Sequence, residues 1–216
     1  MRAKKLLWIG ALLLLCHVVI FAGPLKTGIT VQAGTLGYGA ELVKGILPGL
    51  NLRLGANFFN YGMESTYEEY DLAYDIDIGL QSYSALLNFY PFQRSFFLCS
   101  GVYINNNLIE ANAMSTVSYT YGGLEFTPEE LGELGISIGF AKVSPYFGIG
   151  FGNPVKEKKL IGLVLNIGAL YHDSPDVTMT ATGMIEPTAE QEPEVEADIE
   201  ELRFFPVISL GLSVGF

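Results

Sequence analysis

The chain has 216 residues, half of them hydrophobic and only 16% charged, with 25 glycines and 12% aromatics. This is too apolar for a disordered polypeptide and too rich in glycine and aromatics for a helical bundle, which leaves globular or membrane classes. Twelve basic against 23 acidic residues, a formal charge of −11, exclude a nucleic-acid binder, which needs basic side chains to replace phosphate counterions.

At the start, Arg2, Lys4 and Lys5 precede an apolar run over 6–21 that ends in the small residues Ala22 and Gly23. The pattern reads as a secretory signal peptide, 1–22, cleaved after Ala22 to leave one exported domain, 23–216. A lipoprotein signal at Cys16 fits less well, because Leu13, Leu14 and Leu15 precede it where a small residue is needed, and an uncleaved anchor is the other alternative. Removal of the leader leaves nine basic and 23 acidic residues, a balance of −14. Cys99 is then the only cysteine, so no intramolecular disulfide staples the domain.

No later apolar run reaches the ~20 residues of a spanning helix. Alternation takes its place, with a period of two that predicts strands carrying one oily and one wet face. Leu36, Tyr38, Ala40 and Leu42 oppose Gly37, Gly39 and Glu41, and Leu50, Leu52, Leu54, Ala56 and Phe58 oppose Asn51, Arg53, Gly55 and Asn57. Phe96, Leu98, Val102 and Ile104 oppose Cys99, Gly101, Tyr103 and Asn105, and Leu163 to Tyr171 repeat the pattern against Val164, Asn166 and Gly168. At the end, Ile208, Leu210, Leu212, Val214 and Phe216 oppose Ser209, Gly211, Ser213 and Gly215. Two segments, 76–90 and 136–151, change phase midway, which a bulge near Gln81 and another near Lys142 would explain.

The wet faces are mostly small or neutral-polar, whereas a soluble sandwich carries charge on its outer faces. The inverted arrangement, with apolar residues toward lipid and small polar residues toward a lumen, is that of a membrane barrel. The connections support it: 47–49, 91–95 and 152–159 are short, while 60–75, 106–135 and 172–202 are long and acidic. Short turns at one end and long loops at the other match periplasmic and extracellular ends. Phe89, Tyr90, Phe92, Phe96 and Phe97 bracket one short turn and are expected to form an interfacial girdle.

The leader, the GTLGYGAEL and LNLRLGANFFNYG segments and the ending SLGLSVGF resemble small outer-membrane barrels of the OmpA, OmpX and OmpW type. The resemblance implies an all-β, antiparallel up-and-down transmembrane β-barrel, with eight strands and short helices in its loops, in the outer membrane of a Gram-negative bacterium. Ile208, Leu210, Leu212, Val214 and the terminal Phe216 resemble the signal read by the barrel-assembly machinery. The expected partners are therefore that machinery, outer-membrane lipid and lipopolysaccharide; the protein is expected to be a monomer without a cofactor. Seven strands are clear, and the eighth is either 27–34 or the 172–182 stretch.

Eight strands leave an interior filled by side chains. With a hairpin closed at Leu47-Pro48-Gly49 so that Glu41 faces Arg53, the two form a lumen charge pair, read as structural because an unpaired buried charge is costly. A gated pathway is the alternative. Asn51, Asn57, Asp77, Gln81, Asn105, Ser144 and Asn166 are expected to extend a polar network around the pair.

After the leader, one histidine and one cysteine cannot build multi-histidine zinc or paired-cysteine sites. The glycines of 148–152 have no following helix and so do not form a phosphate loop. His172, Ser174 and Glu186 resemble, in type and spacing, the base, nucleophile and orienting acid of outer-membrane lipid A 3-O-deacylases. Pro175 departs from that pattern, standing where those enzymes carry an asparagine, and Asp173-Ser174-Pro175-Asp176 is also a common turn composition, so a surface turn is favoured. Val195, Ile199 and Leu202 recur at helical spacing within the acidic tract 186–201. Thr127-Pro128-Glu129-Glu130 has the signature of a capped helix start. Glu196, Asp198 and Glu200 are candidate ligands for divalent cations that bridge lipopolysaccharide. The expected role is structural or surface-interacting; the alternatives are a narrow conduit for small hydrophobic molecules, as the OmpW resemblance implies, and the deacylase.

Overall fold

The structure is a computed structural model that describes residues 26–67, 71–155, 161–199 and 203–216. The leader expected at 1–22 lies outside these residues. The chain closes an eight-stranded antiparallel barrel. Its first four strands are β1 (Thr27–Gly34), β2 (Gly37–Leu47), β3 (Leu50–Tyr67) and β4 (Leu72–Phe89). The fifth is interrupted, as β5 (Phe96–Asn105) and β6 (Leu108–Ser115), and is followed by a small hairpin of β7 (Tyr119–Tyr121) and β8 (Leu124–Phe126) and the helix α1 (Pro128–Leu131). The sixth is β9 (Glu133–Gly139) with β10 (Val143–Phe151), and the seventh β11 (Gly162–Tyr171) with β12 (Asp176–Ala181). A 3-10 stretch (Gly183–Gln191) and the helix α2 (Glu192–Ile199) lead to β13 (Phe204–Gly215), the eighth. Pairing of β13 with β1, from Gly28 against Gly215 to Gly34 against Ser209, shuts the barrel. Thus 27–34 supplies the separate strand, and 176–181 prolongs the seventh.

The alternation read from the sequence sorts the side chains as expected over the lower barrel. Leu163, Ile167, Leu210 and Leu212 are exposed, whereas Thr30, Arg53, Asn88, Asn166 and Ser213 are buried. Outward-facing side chains form a continuous apolar belt, ending below in Phe89, Phe92, Phe151 and Phe216. Two residues expected in that girdle turn inward instead. Tyr90 and Phe97 are fully buried, with ring centroids 5.4 Å apart, because their parity on the flanking strands points them to the lumen. Leu36, expected outside, is also buried, in the tight turn between β1 and β2.

The phase changes have another cause than a bulge at Gln81. The β3–β4 register runs without a shift from Leu50 against Phe89 to Tyr67 against Leu72. On the other side of β4, the gap between β5 and β6 is spanned by hydrogen bonds from Asn106 N to Gln81 O (2.8 Å) and from Gln81 N to Asn107 Oδ1 (2.9 Å). The backbone keeps its parity, and the apolar residues change faces. In β4, Tyr83, Leu87 and Phe89 point outward, but beyond Gln81 it is Ile76, Ile78 and Leu80 that share the lumen side, while Asp75 and Asp77 point out. Near Lys142 the register against β5 and β6 is likewise unbroken. A one-residue offset does appear between the β10–β11 and β9–β12 ladders, and it falls at 172–175, where Asp173 takes φ +60°.

The upper parts of β3 and β4, with β6, β9 and β12, therefore form a five-stranded sheet above the barrel mouth. Much of the three long connections expected at 60–75, 106–135 and 172–202 is strand. The registers place Tyr61, Ile78, Ile109, Ile138 and Val177 in one row on the lumen side and Gly62, Asp77, Glu110, Ser137 and Thr178 in a row on the outer side. The helical segment packs on the β12 end of this sheet, where Val177 and Met179 are buried and Met179 N donates to Glu192 Oε2 (2.8 Å). The helix start expected at Thr127 is present with both arms of its capping box.

Candidate functional site

The lumen holds the densest set of buried polar groups. Glu41 on β2 and Arg53 on β3 are 2% and 1% exposed, and Arg53 Nη2 lies 3.1 Å from Glu41 Oε1. They are not directly opposite: the turn closes with Leu47 against Leu50, an irregularity between Gly45 and Leu47 shifts the register by one residue, and Glu41 then faces Gly55 while Val43 faces Arg53. The pair is diagonal, within the reach of a long side chain across neighbouring strands. Gly55 makes room for it, since a Cβ there would sit 3.1 Å from Glu41 Cγ.

Around the pair, Gln32 Nε2 donates to Glu41 Oε1 (3.1 Å) and to Asn57 Oδ1 (2.9 Å), and Ser209 Oγ donates to Gln32 Oε1 (3.3 Å). Asn105 Nδ2 donates to Ser144 Oγ (2.8 Å), and Asn166 Nδ2 to the Tyr146 hydroxyl (2.8 Å). Of the expected polar set, Asn51, Asn57, Asn105, Ser144 and Asn166 are all buried, and Asn57 joins the pair through Gln32, while the others bond to separate partners. The expectation fails for Gln81, which bonds Tyr83 on the outer side, and for Asp77, which stands on the outer face of the upper sheet.

Aromatic rings complete the lumen. The Arg53 guanidinium lies 5.8 Å from the Phe97 ring centroid, a cation–π distance. Tyr103 and Tyr146 are buried and meet edge to face at 5.4 Å. Gly148 and Gly168 flank the Tyr146 hydroxyl so closely that a Cβ at either would overlap it. The inward parity of Tyr146 follows from the 143–151 alternation, and that of Gln32 from the alternation of Ile29, Val31 and Ala33 with Thr30 and Gln32.

At the upper mouth, Leu36, Leu170 and Val207 are buried, and the His172 ring packs edge to face on Phe140 at 5.1 Å. Burial pushes the His172 imidazole below its ordinary range. The three residues with deacylase spacing do not assemble into a relay. His172 and Ser174 lie in the non-strand 172–175 turn, where the left-handed Asp173 prevents the shared strand face, and Glu186 is exposed on the 3-10 stretch. His172 Nδ1 and Ser174 Oγ are both buried without a hydrogen-bond partner. The cation candidates also separate: Glu196 and Asp198 stand two apart on α2 and so point to different sides, while Glu200 lies outside the described residues. Among the described residues, no three His, Cys, Asp or Glu side chains converge as metal ligands.

Charge is distributed along the barrel axis with strong polarity. Among the described residues, the segments above the mouth, 59–67, 71–80, 106–142, 172–199 and 203, hold every acid except Glu41 and two basic residues, Lys142 and Arg203. Lys26, Lys44 and Arg94 belong to the opposite end, with no described acid among the turns there.

No model of a known protein family matches the chain, and no curated protein matches its sequence. Solved structures do match. The chain is similar to CarO of Acinetobacter baumannii, with a TM-score of 0.59 at 19% identity, over 88% of this chain and 97% of that one. A second A. baumannii structure, CarO2, gives the same score and identity over 90% of this chain and all of that one. A major outer membrane protein of Thermus thermophilus follows, with a TM-score of 0.54 at 14% identity, over 90% of this chain and all of that one. At these identities the likeness is one of fold, that of a small closed β-barrel.

Proposed function

We propose that the chain is an integral outer-membrane barrel whose lumen is closed by its own side chains and whose role is structural or surface-interacting. The observation that carries this reading is the sorting of side chains by strand parity: an exposed apolar belt outside, and a buried Glu41–Arg53 pair with aromatic rings inside. Such a belt is stable in contact with acyl chains and would associate in water. The filled interior supports the structural reading over the conduit. The outward-facing Ile208, Leu210, Leu212, Val214 and Phe216 support lipid contact and, as the final strand, recognition by the barrel-assembly machinery. The likeness to the Thermus outer-membrane structure supports the same location.

The test combines fractionation with bilayer recording. The protein is expected in outer-membrane pellets, with a boiling-dependent shift on an SDS gel and no stepwise conductance in planar bilayers. A soluble periplasmic protein without the shift contradicts the membrane placement, and regular open-channel steps contradict the closed lumen.

A further inference from the structure

The sheet above the barrel mouth has two edges that are treated differently. At β12, Glu192 accepts the Met179 amide and the helical segment covers the neighbouring side chains. At β3, pairing with β2 stops at Tyr38 against Phe58, and among the described residues no strand lies beside 59–66. A strand edge left bare offers its backbone donors and acceptors to another chain.

The two faces next to that edge have opposite chemistry. Toward the lumen side stand Phe59, Tyr61 and Met63, with Tyr61 and Met63 49% and 36% exposed. On the outer side Glu64 faces Asp75 and Asp77 faces Glu110. Gly62 has no side chain to shield Asp77: a Cβ at this position would lie 2.8 Å from Asp77 Oδ1, so the carboxylate leans over Gly62 toward the edge. Together with Gly79 it leaves a cavity of about 310 Å³, lined by Asn60, Gly62, Asp77, Gly79, Leu108 and Glu110.

We propose that the β3 edge docks an extended polypeptide segment that alternates basic and apolar side chains, which joins the sheet as a sixth strand. Adjacent strands are ~4.8 Å apart, so a lysine or arginine on the incoming strand beside Gly62 reaches across it to Asp77 on the second strand. The alternate side chains of the segment fall on Phe59, Tyr61 and Met63. Charge selects this occupant over a second copy of the chain, whose Glu64 would be brought beside the same acidic face, since like charges on facing strands repel. Exposure of the sheet to the outside of the cell rests on the membrane placement proposed above; the docking chemistry does not.

The experiment uses the full chain folded in detergent micelles and a labelled nine-residue peptide of alternating lysine and valine, read by fluorescence anisotropy. Three comparisons define it: an alternating glutamate–valine peptide, the lysine–valine peptide with alternate backbone N-methyl groups, and the double variant Asp77→Asn/Glu110→Gln. Retention of the boiling-dependent gel shift shows that the variant is folded. The lysine–valine peptide is expected to bind saturably, with at least tenfold weaker binding on N-methylation, a similar loss in the double variant, and none by the glutamate peptide. Equal binding of the N-methylated peptide overturns strand addition in favour of charge adsorption alone. Unchanged binding to the folded double variant overturns the role of the acidic face, and dimerisation in sedimentation without peptide binding assigns the edge to a second copy. Because the readout is made in micelles, its failure leaves the membrane placement standing, and failure to fractionate with the membrane leaves this result standing.

Discussion

Glu41 and Arg53 are almost without solvent contact, so each depends on the other for its charge. Glu41→Gln leaves an uncompensated guanidinium and is expected to cost about 3–5 kcal/mol in urea unfolding, whereas Glu41→Gln with Arg53→Met removes both charges and recovers most of that loss. A single variant as stable as wild type would contradict the pairing. Gly168→Ala crowds the Tyr146 hydroxyl and is expected to cost about 1–3 kcal/mol by overpacking, measured in the same assay. The His172 imidazole is pushed below its ordinary 6.5 by burial. As pH falls, the unfolded chain is protonated first, so the stabilisation is complete above about 6.5 and declines below it. The fall in unfolding midpoint from pH 8 to pH 5 should be smaller in His172→Gln than in wild type; equal falls would remove His172 from the account. The sequence made the faces of Glu41 and Arg53 legible through alternation, but not their diagonal pairing. That depends on the irregularity between Gly45 and Leu47, which turn composition does not encode.

At the scale of elements, β3 and β4 each run for 18 residues, about half of that length above the barrel mouth. The upper halves read as acidic loops because Glu64, Asp75 and Asp77 stand on the outer face where the belt below carries apolar residues. The alternation persists there in inverted form, and its phase change is the mark of the strand leaving the apolar belt rather than of a bulge. The breaks at 106–107, 140–142 and 172–175 are adjacent across the sheet, so three neighbouring strands are interrupted at one level. What closes the β12 edge was beyond the sequence, since it joins Glu192 to a backbone amide thirteen residues earlier. Glu192→Ala is expected to raise hydrogen exchange at the Met179 amide about tenfold or more, as the loss of a hydrogen bond to a charged group would. Unchanged exchange at Met179 would show that the helical segment closes this edge without that contact.

For the whole molecule, the charge polarity and the apolar belt share one axis. Acidic sheet and helices lie at one end, basic residues at the other, and exposed aliphatic side chains ring the region between. A lipid-facing arginine tests the belt energetically: Leu210→Arg is expected to cost about 2–4 kcal/mol near the bilayer midplane and less toward either end. In a soluble barrel the same exposed position, 57% accessible, would tolerate the change. The most direct measurement uses fluorescence. The chain has a single tryptophan, Trp8, within the expected leader, and a Trp8→Phe background keeps the protein free of tryptophan whether or not the leader is cleaved, so that one reporter can be placed. Reconstituted with lipids brominated along their acyl chains, Leu165→Trp and Leu210→Trp are expected to be strongly quenched and Thr178→Trp on the upper sheet to remain bright. Bright emission at Leu165 and Leu210 would contradict a barrel that spans the membrane through this belt.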